Sequence, residues 1–193
     1  MTVGRDLTLI LESPAPLRTV AHASALTATG IGMLAVVGWA TGSRVWASFG
    51  PQYIPMAPTT ALLVMLLSVS VVVCVSRIGM PRLRWIGVGA AILVCVASLV
   101  TLGDFLTGAR WSYESWLVAH PDRFGLVLTG RVSPMTAAGI LVLSSSALLL
   151  LRPAYYPLVG GLVSLVAGGA LLVLAGYVYH AHSSMAGAPS RSP

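Results

Sequence analysis

Two stretches, Pro58-Thr59-Thr60-Ala61 and Pro134-Met135-Thr136-Ala137, each open a long apolar run, and they stand 76 residues apart. At the same spacing Ser68 meets Ser144 and Ser70 meets Ser146. The match therefore continues well into both runs. A proline at the first helical position loses no hydrogen bond, because the N–H it lacks has no partner within the helix. Ser133 before Pro134 reads as an N-cap, its hydroxyl placed to accept from a backbone N–H of the first turn. Repeated apolar helices with repeated start signals belong to a membrane protein built by duplication.

The composition agrees. Of 193 residues, 56% are hydrophobic and 8% charged, against roughly 25% charged in a soluble domain. So few charges cannot cover a water-facing surface, and the lipid bilayer is the expected solvent. All eleven basic residues are arginine. They are scattered between apolar runs, which suits topology signals and lipid head groups and not nucleic acid. Residues 1–21 contain Asp6, Glu12, Pro14 and Pro16 and no continuous apolar core of a signal peptide.

The fold class is read as an all-α integral membrane protein with about five transmembrane helices and an internal helix-loop-helix repeat. The expected spans are 23–41, 58–76, 85–106, 134–151 and 157–179, each near the roughly 20 residues a bilayer core requires. Residues 1–22 form an N-terminal tail, 107–133 the largest loop, and 180–193 a small, polar, disordered tail. The short connections 77–84 and 152–156 carry Arg77, Arg82, Arg84 and Arg152, and the tail adds Arg5 and Arg18. Six arginines then lie inside against five outside. This places the N-terminus in the cytoplasm and the protein in the plasma membrane, the inner membrane of a bacterium.

The repeat extends further. Leu99-Val-Thr-Leu-Gly103 aligns with Leu172-Val-Leu-Ala-Gly176 at a spacing of 73, and Gly38-Trp-Ala-Thr-Gly42 reads as an earlier copy of the same helix end. Spans one, three and five are then equivalent, as are two and four. A sixth span would complete a third unit. The copies run parallel, unlike the inverted repeats of many transporters.

Chemistry-bearing residues collect at the outer loop. Asp104 at the end of the third span, with Arg110, Trp111, Glu114, Trp116, His120 and Arg131, forms the candidate ligand-sensing set. The competing account is an aromatic-belt segment at the membrane surface over 111–118, with Asp104 paired to Arg110 or Arg131. Gly160, Ser164 and Gly168 repeat every fourth residue on one face of the last span, a helix-packing pattern serving either the chain itself or a dimer. The hydroxyls of Thr60 and Thr136 suit first-turn bonds, and the serines of spans two and four suit close helix approach. Cys74 and Cys95 lie in apolar runs and read as packing residues. His180-Ala-His182 has no accompanying carboxylate or cysteine, so no metal is expected; no cofactor and no catalytic residue is expected either, since no GxSxG, HExxH or P-loop motif occurs.

Ile54-Pro-Met-Ala-Pro-Thr-Thr-Ala-Leu62 and Gly130-Arg-Val-Ser-Pro-Met-Thr-Ala137 resemble helix openings in the multi-pass N-terminal membrane sensor regions of bacterial signalling proteins. In those proteins such regions precede histidine kinase, PAS or diguanylate cyclase modules. The resemblance covers about residues 24–180. It implies further membrane sequence and an output module after residue 180, and neither stands in this sequence. The chain reads equally as a truncated copy, an isolated domain or a standalone relative.

The functional expectation is a sensory or signal-input membrane domain without catalysis of its own, working by helix repacking on a homo-oligomer or a cytoplasmic signalling partner. The alternatives are a small transporter or channel subunit and a structural or assembly protein.

Overall fold

A computed structural model describes residues 15–48, 55–75, 81–108, 123–124, 127–128 and 131–186. The described chain is all-helical apart from two short strands. In order it contains α1 (Ala15–Thr41), α2 (Arg44–Ser48), α3 (Pro58–Val75), α4 (Pro81–Thr107), β1 (Arg123–Phe124), β2 (Val127–Leu128), α5 (Pro134–Leu149), a single 3-10 turn (Pro153–Tyr155) and α6 (Tyr156–Ala186). The strands pair antiparallel, Arg123 opposite Leu128.

Three described helices are long and apolar enough to cross a membrane: Thr19–Thr41, Arg82–Thr107 and Tyr156–Gly176. All five expected spans are apolar helices, and these three are the ones that reach membrane length among the described residues. The segments expected at 58–76 and 134–151 are apolar helices of 18 and 16 residues. At 1.5 Å per residue they reach about 27 and 24 Å, short of a hydrocarbon core of about 30 Å.

Other boundaries shift as well. α1 begins at Ala15, eight residues before the expected span. Arg82 and Arg84 sit in the first turn of α4 and not in a connection. α6 runs to Ala186, so residues 180–186, assigned to a disordered tail, are helical. The N-cap is found as expected: Ser133 is extended, Pro134 begins α5, and the Ser133 Oγ accepts from the Thr136 N–H at 3.1 Å.

α3 occupies the centre, packed against α1, α4 and α5, while α4 packs on both α3 and α5 and α6 leans chiefly on α5. The α3–α4–α5 core is layered. Ala57, Val132 and Ala137 cluster with Leu102; Leu63, Val94 and Ile140 form the next layer; Leu67, Ala91 and Ala147 form the third. Gly32 lets α1 approach α3 closely, since a Cβ there would lie 2.8 Å from the Met65 Cγ and 3.1 Å from the Ala61 carbonyl oxygen.

The contact pattern repeats, with α1 on α3 matched by α4 on α5. The helix ends match too, but in a different register from the one the sequence suggested. α1 ends in Thr41-Gly42 and α4 in Thr107-Gly108. Both glycines have positive φ, 68° and 65°. Both threonine hydroxyls donate to the carbonyl four residues back, Thr41 to Val37 at 2.8 Å and Thr107 to Gly103 at 2.7 Å. The structural spacing between α1 and α4 is thus 66, and Gly42 corresponds to Gly108 and not to Gly103. A glycine with positive φ just past the last helical turn is the usual left-handed stop signal.

The buried faces obey the same register. Ala25, Gly32, Ala35 and Gly38 are buried on α1. Their counterparts on α4 are Ala91, Ser98 and Thr101, which are buried, and Asp104, which is half-buried.

Candidate functional site

The end where α1 and α4 finish and α3 and α5 begin is called outer here, after the expected orientation. Both Pro-x-Thr-Ala turns lie there and fold alike. The Ala61 N–H donates to the Ala57 carbonyl at 3.1 Å, and the Ala137 N–H donates to the Ser133 carbonyl at 2.9 Å. Ala57, just before the first turn, shares a cluster with Val132, Ala137 and Leu102. Two turns 76 residues apart in sequence therefore meet against one helix end, two residues from Asp104.

The first unit closes this end with α2. Gly38 permits it, because a Cβ there would fall 2.5 Å from the Ala47 backbone nitrogen. The Met56 N–H donates to the Ala47 carbonyl at 2.9 Å. The Trp39 indole N–H donates to the Met56 carbonyl at 2.7 Å. These bonds strap α1, α2 and the lead into α3 together. Sequence inspection did not single out Trp39 as a linchpin; an indole just after a close-packing glycine is the signal that was there to use.

In the 66-residue register the counterpart of Gly38 is Asp104. The position where the first unit receives its loop helix is, in the second unit, a half-buried carboxylate on the last turn of α4. Of the remaining sensing candidates, Arg131 is exposed just before α5. Arg110, Trp111, Glu114, Trp116 and His120 lie outside the described residues, as does the surface segment expected over 111–118.

The serines of the duplicated runs are all buried: Ser68, Ser70, Ser144 and Ser146. Three of them bond within their own helix. Ser68 donates to the Val64 carbonyl at 2.9 Å, Ser144 to that of Leu141 at 3.0 Å and Ser146 to that of Val142 at 2.7 Å. They act as small residues that satisfy themselves and leave α3, α4 and α5 free to approach. Across the α4–α5 interface the Cys95 Sγ lies 3.9 Å from the Ser145 Oγ. Both cysteines are free thiols. Among the described residues no group of three His, Cys, Asp or Glu side chains gathers as a metal site would require.

Gly160, Ser164 and Gly168 are exposed along α6. A Cβ at either glycine would meet nothing within 4 Å. Of the two roles open to this stripe, packing inside the chain is not the one these contacts display.

Comparison of the chain with protein-family models, with curated proteins and with solved structures finds no match. The chain stands as a multi-pass membrane protein whose described residues are helical apart from one short strand pair and whose outer end joins two units with repeated contacts.

Proposed function

We propose that the chain is a sensory, signal-input domain of a bacterial inner membrane, with its N-terminus in the cytoplasm and all five apolar helices crossing. A stimulus at the outer end shifts helix packing, and the shift reaches a cytoplasmic signalling partner through the inner end of α4, where Arg82 and Arg84 occupy the first turn. One observation carries this reading. The register that docks α2 against Gly38 matches Gly38 to Asp104 of the second unit, two residues along α4 from Leu102, which packs in the cluster where α3, α4 and α5 meet. A loop held there by a carboxylate is coupled at once to three helices. An ionisable group at that depth is a functional candidate in its own right. The other proposed members of the site are Arg110, Trp111, Glu114, Trp116, His120 and Arg131. The resemblance of both helix openings to bacterial sensor regions supports the same reading.

The mechanism requires two packing states that a stimulus distinguishes. It is tested by locking the outer end and reading the inner one. In chains with Cys74 and Cys95 replaced by alanine, Ala57→Cys and Ala137→Cys are oxidised to a disulfide across the outer cluster. The maleimide reactivity of Gly79→Cys is then followed in nanodiscs by mass spectrometry. Coupled ends predict a change of about fivefold or more in the rate at residue 79 on locking, the size of a modest allosteric coupling. An unchanged rate overturns the reading. The assembly alternative is favoured by a separate feature, the open face of α6.

A further inference from the structure

The two repeated helix starts are chemically unequal. In α5 the Ser133 Oγ accepts from the Thr136 N–H at 3.1 Å and lies 2.7 Å from the Thr136 Oγ1. At the 76-residue spacing the counterparts on α3 are Ala57 and Thr60. Alanine has no side-chain oxygen, so the first turn of α3 lacks the cap that α5 has. Burial differs as well. Met135, the second residue of α5, is 75% exposed, whereas its counterpart Thr59 is 3% exposed. The first N–H groups of any helix have no acceptor within it. On α5 a serine answers one of them. On α3 they lie among buried residues, Ala57, Thr59 and Thr60, and the residue before the proline offers nothing.

Two orphaned hydroxyls point to the same place. The Thr59 Oγ1 and the Ser98 Oγ are buried and have no hydrogen-bond partner among the described residues. Thr59 stands in the first turn, where no helical carbonyl lies four residues back to answer it as Val64 answers Ser68. Ser98 is 0% exposed in the middle of α4. It does not donate to a carbonyl of its own helix as Thr101 donates to Ala97 at 3.0 Å, so its hydroxyl is turned into the bundle. Both residues lie between the same two layers of the core. On α3, Thr59 falls between Ala57 and Leu63; on α4, Ser98 falls between Leu102 and Val94. A buried hydroxyl without a partner loses its hydration and gains nothing in return, and such groups in native proteins are nearly always bonded.

We propose that the start of α3 is a binding site for one small hydrogen-bond acceptor, a water molecule or a chloride ion, held by the hydroxyls of Thr59 and Ser98 and the N–H of Thr60. Every one of these groups is able to donate. The N-terminus of the helix adds the positive end of its dipole. Enclosure by Ala57, Thr59, Thr60 and Ser98, all buried, restricts the occupant to a single small species. It does for α3 what Ser133 does for α5, and it bonds α3 to α4 between two apolar layers. The site is independent of the sensory reading, because a helix start needs its acceptor whatever the bundle transmits.

The test uses the full chain, isotope-labelled in nanodiscs, with magnetisation transfer from water to the backbone amides followed by solid-state NMR in sodium chloride and in sodium gluconate. A bound water is expected to give the Thr60 amide a transfer several-fold stronger than that of the buried Leu63 amide, in both salts. A bound chloride is expected instead to shift the Thr60 amide resonance saturably as chloride replaces gluconate. Ala57→Ser, which gives α3 the cap that α5 has, should abolish either signal. Thr59→Val and Ser98→Ala should each weaken the signal and lower the melting temperature. A Thr60 amide with no more transfer than Leu63 and no response to chloride would overturn the proposal. So would a signal that survives Ala57→Ser, since it would come from the membrane surface, or a Thr59→Val chain that melts no lower than the parent, since its hydroxyl would then hold nothing. The spectrum of the parent decides the matter even where a variant fails to fold, and it is read without the disulfide that tests coupling to residue 79.

Discussion

Single residues decide how closely these helices pack, and two glycines of α1 separate the effects. Gly38 is buried against α2, where an added Cβ would lie 2.5 Å from backbone. Gly30 lies on the same helix with nothing within 4 Å of such a Cβ. Gly38→Ala must push α2 away and strain the bond from the Trp39 indole to the Met56 carbonyl; overpacking of this kind costs about 1–3 kcal/mol. Gly30→Ala gains helix propensity of up to about 1 kcal/mol with no clash. Thermal unfolding in one detergent should therefore rank Gly30→Ala at or above the parent and Gly38→Ala clearly below it. Equal melting of the two variants would show that the α1–α2 contact does not constrain the fold.

At the scale of elements, the start signals were legible and the stop signals were not. Ser133 and Pro134 announce α5 because capping is chemistry between neighbours in sequence. The stops at Gly42 and Gly108 depend on a positive φ, and several glycines near each helix end compete for that role. Gly103 looked equivalent to Gly42 from flanking residues, yet it lies inside α4 and accepts from the Thr107 hydroxyl. The alternate placement moved the whole first unit by five residues, and with it the partner of Asp104. Length was misjudged for a related reason. Apolar runs of equal hydropathy form helices of 16 and 31 residues, because where the backbone stops is set by packing and turn geometry. The short central α3 carries a consequence. Held by α1, α4 and α5, it cannot adjust its tilt alone, so a bilayer that fits the longer helices must thin around it. Mismatch costs fractions of a kcal/mol per Å. The chain should melt at a higher temperature in short-chain than in long-chain phosphatidylcholine nanodiscs. No dependence on chain length would mean that α3 does not span the hydrocarbon core as a single helix.

For the whole molecule the repeat imposes a topological condition. α1 and α4 share a helix-end motif and a buried face, α3 and α5 share a start motif, and α6 follows α5 as α4 follows α3. If the first-named pair rises through the membrane, α3 and α5 descend and α6 rises again. Exposed Arg82 and Arg84 at the start of α4 and Arg152 after α5 then fall on one side, as the preference of arginine for the cytoplasmic face requires. Pro193 must then lie on the opposite side. Paired reporters fused there, one active only in the cytoplasm and one only outside it, are expected to give the outside signal. Replacing Arg82, Arg84 and Arg152 with glutamine should weaken that bias, because those charges hold the inner connections in place. A cytoplasmic signal in the parent would mean that one helix fails to cross. The first to suspect is α1, whose threonines and glycines make it the least apolar of the long helices.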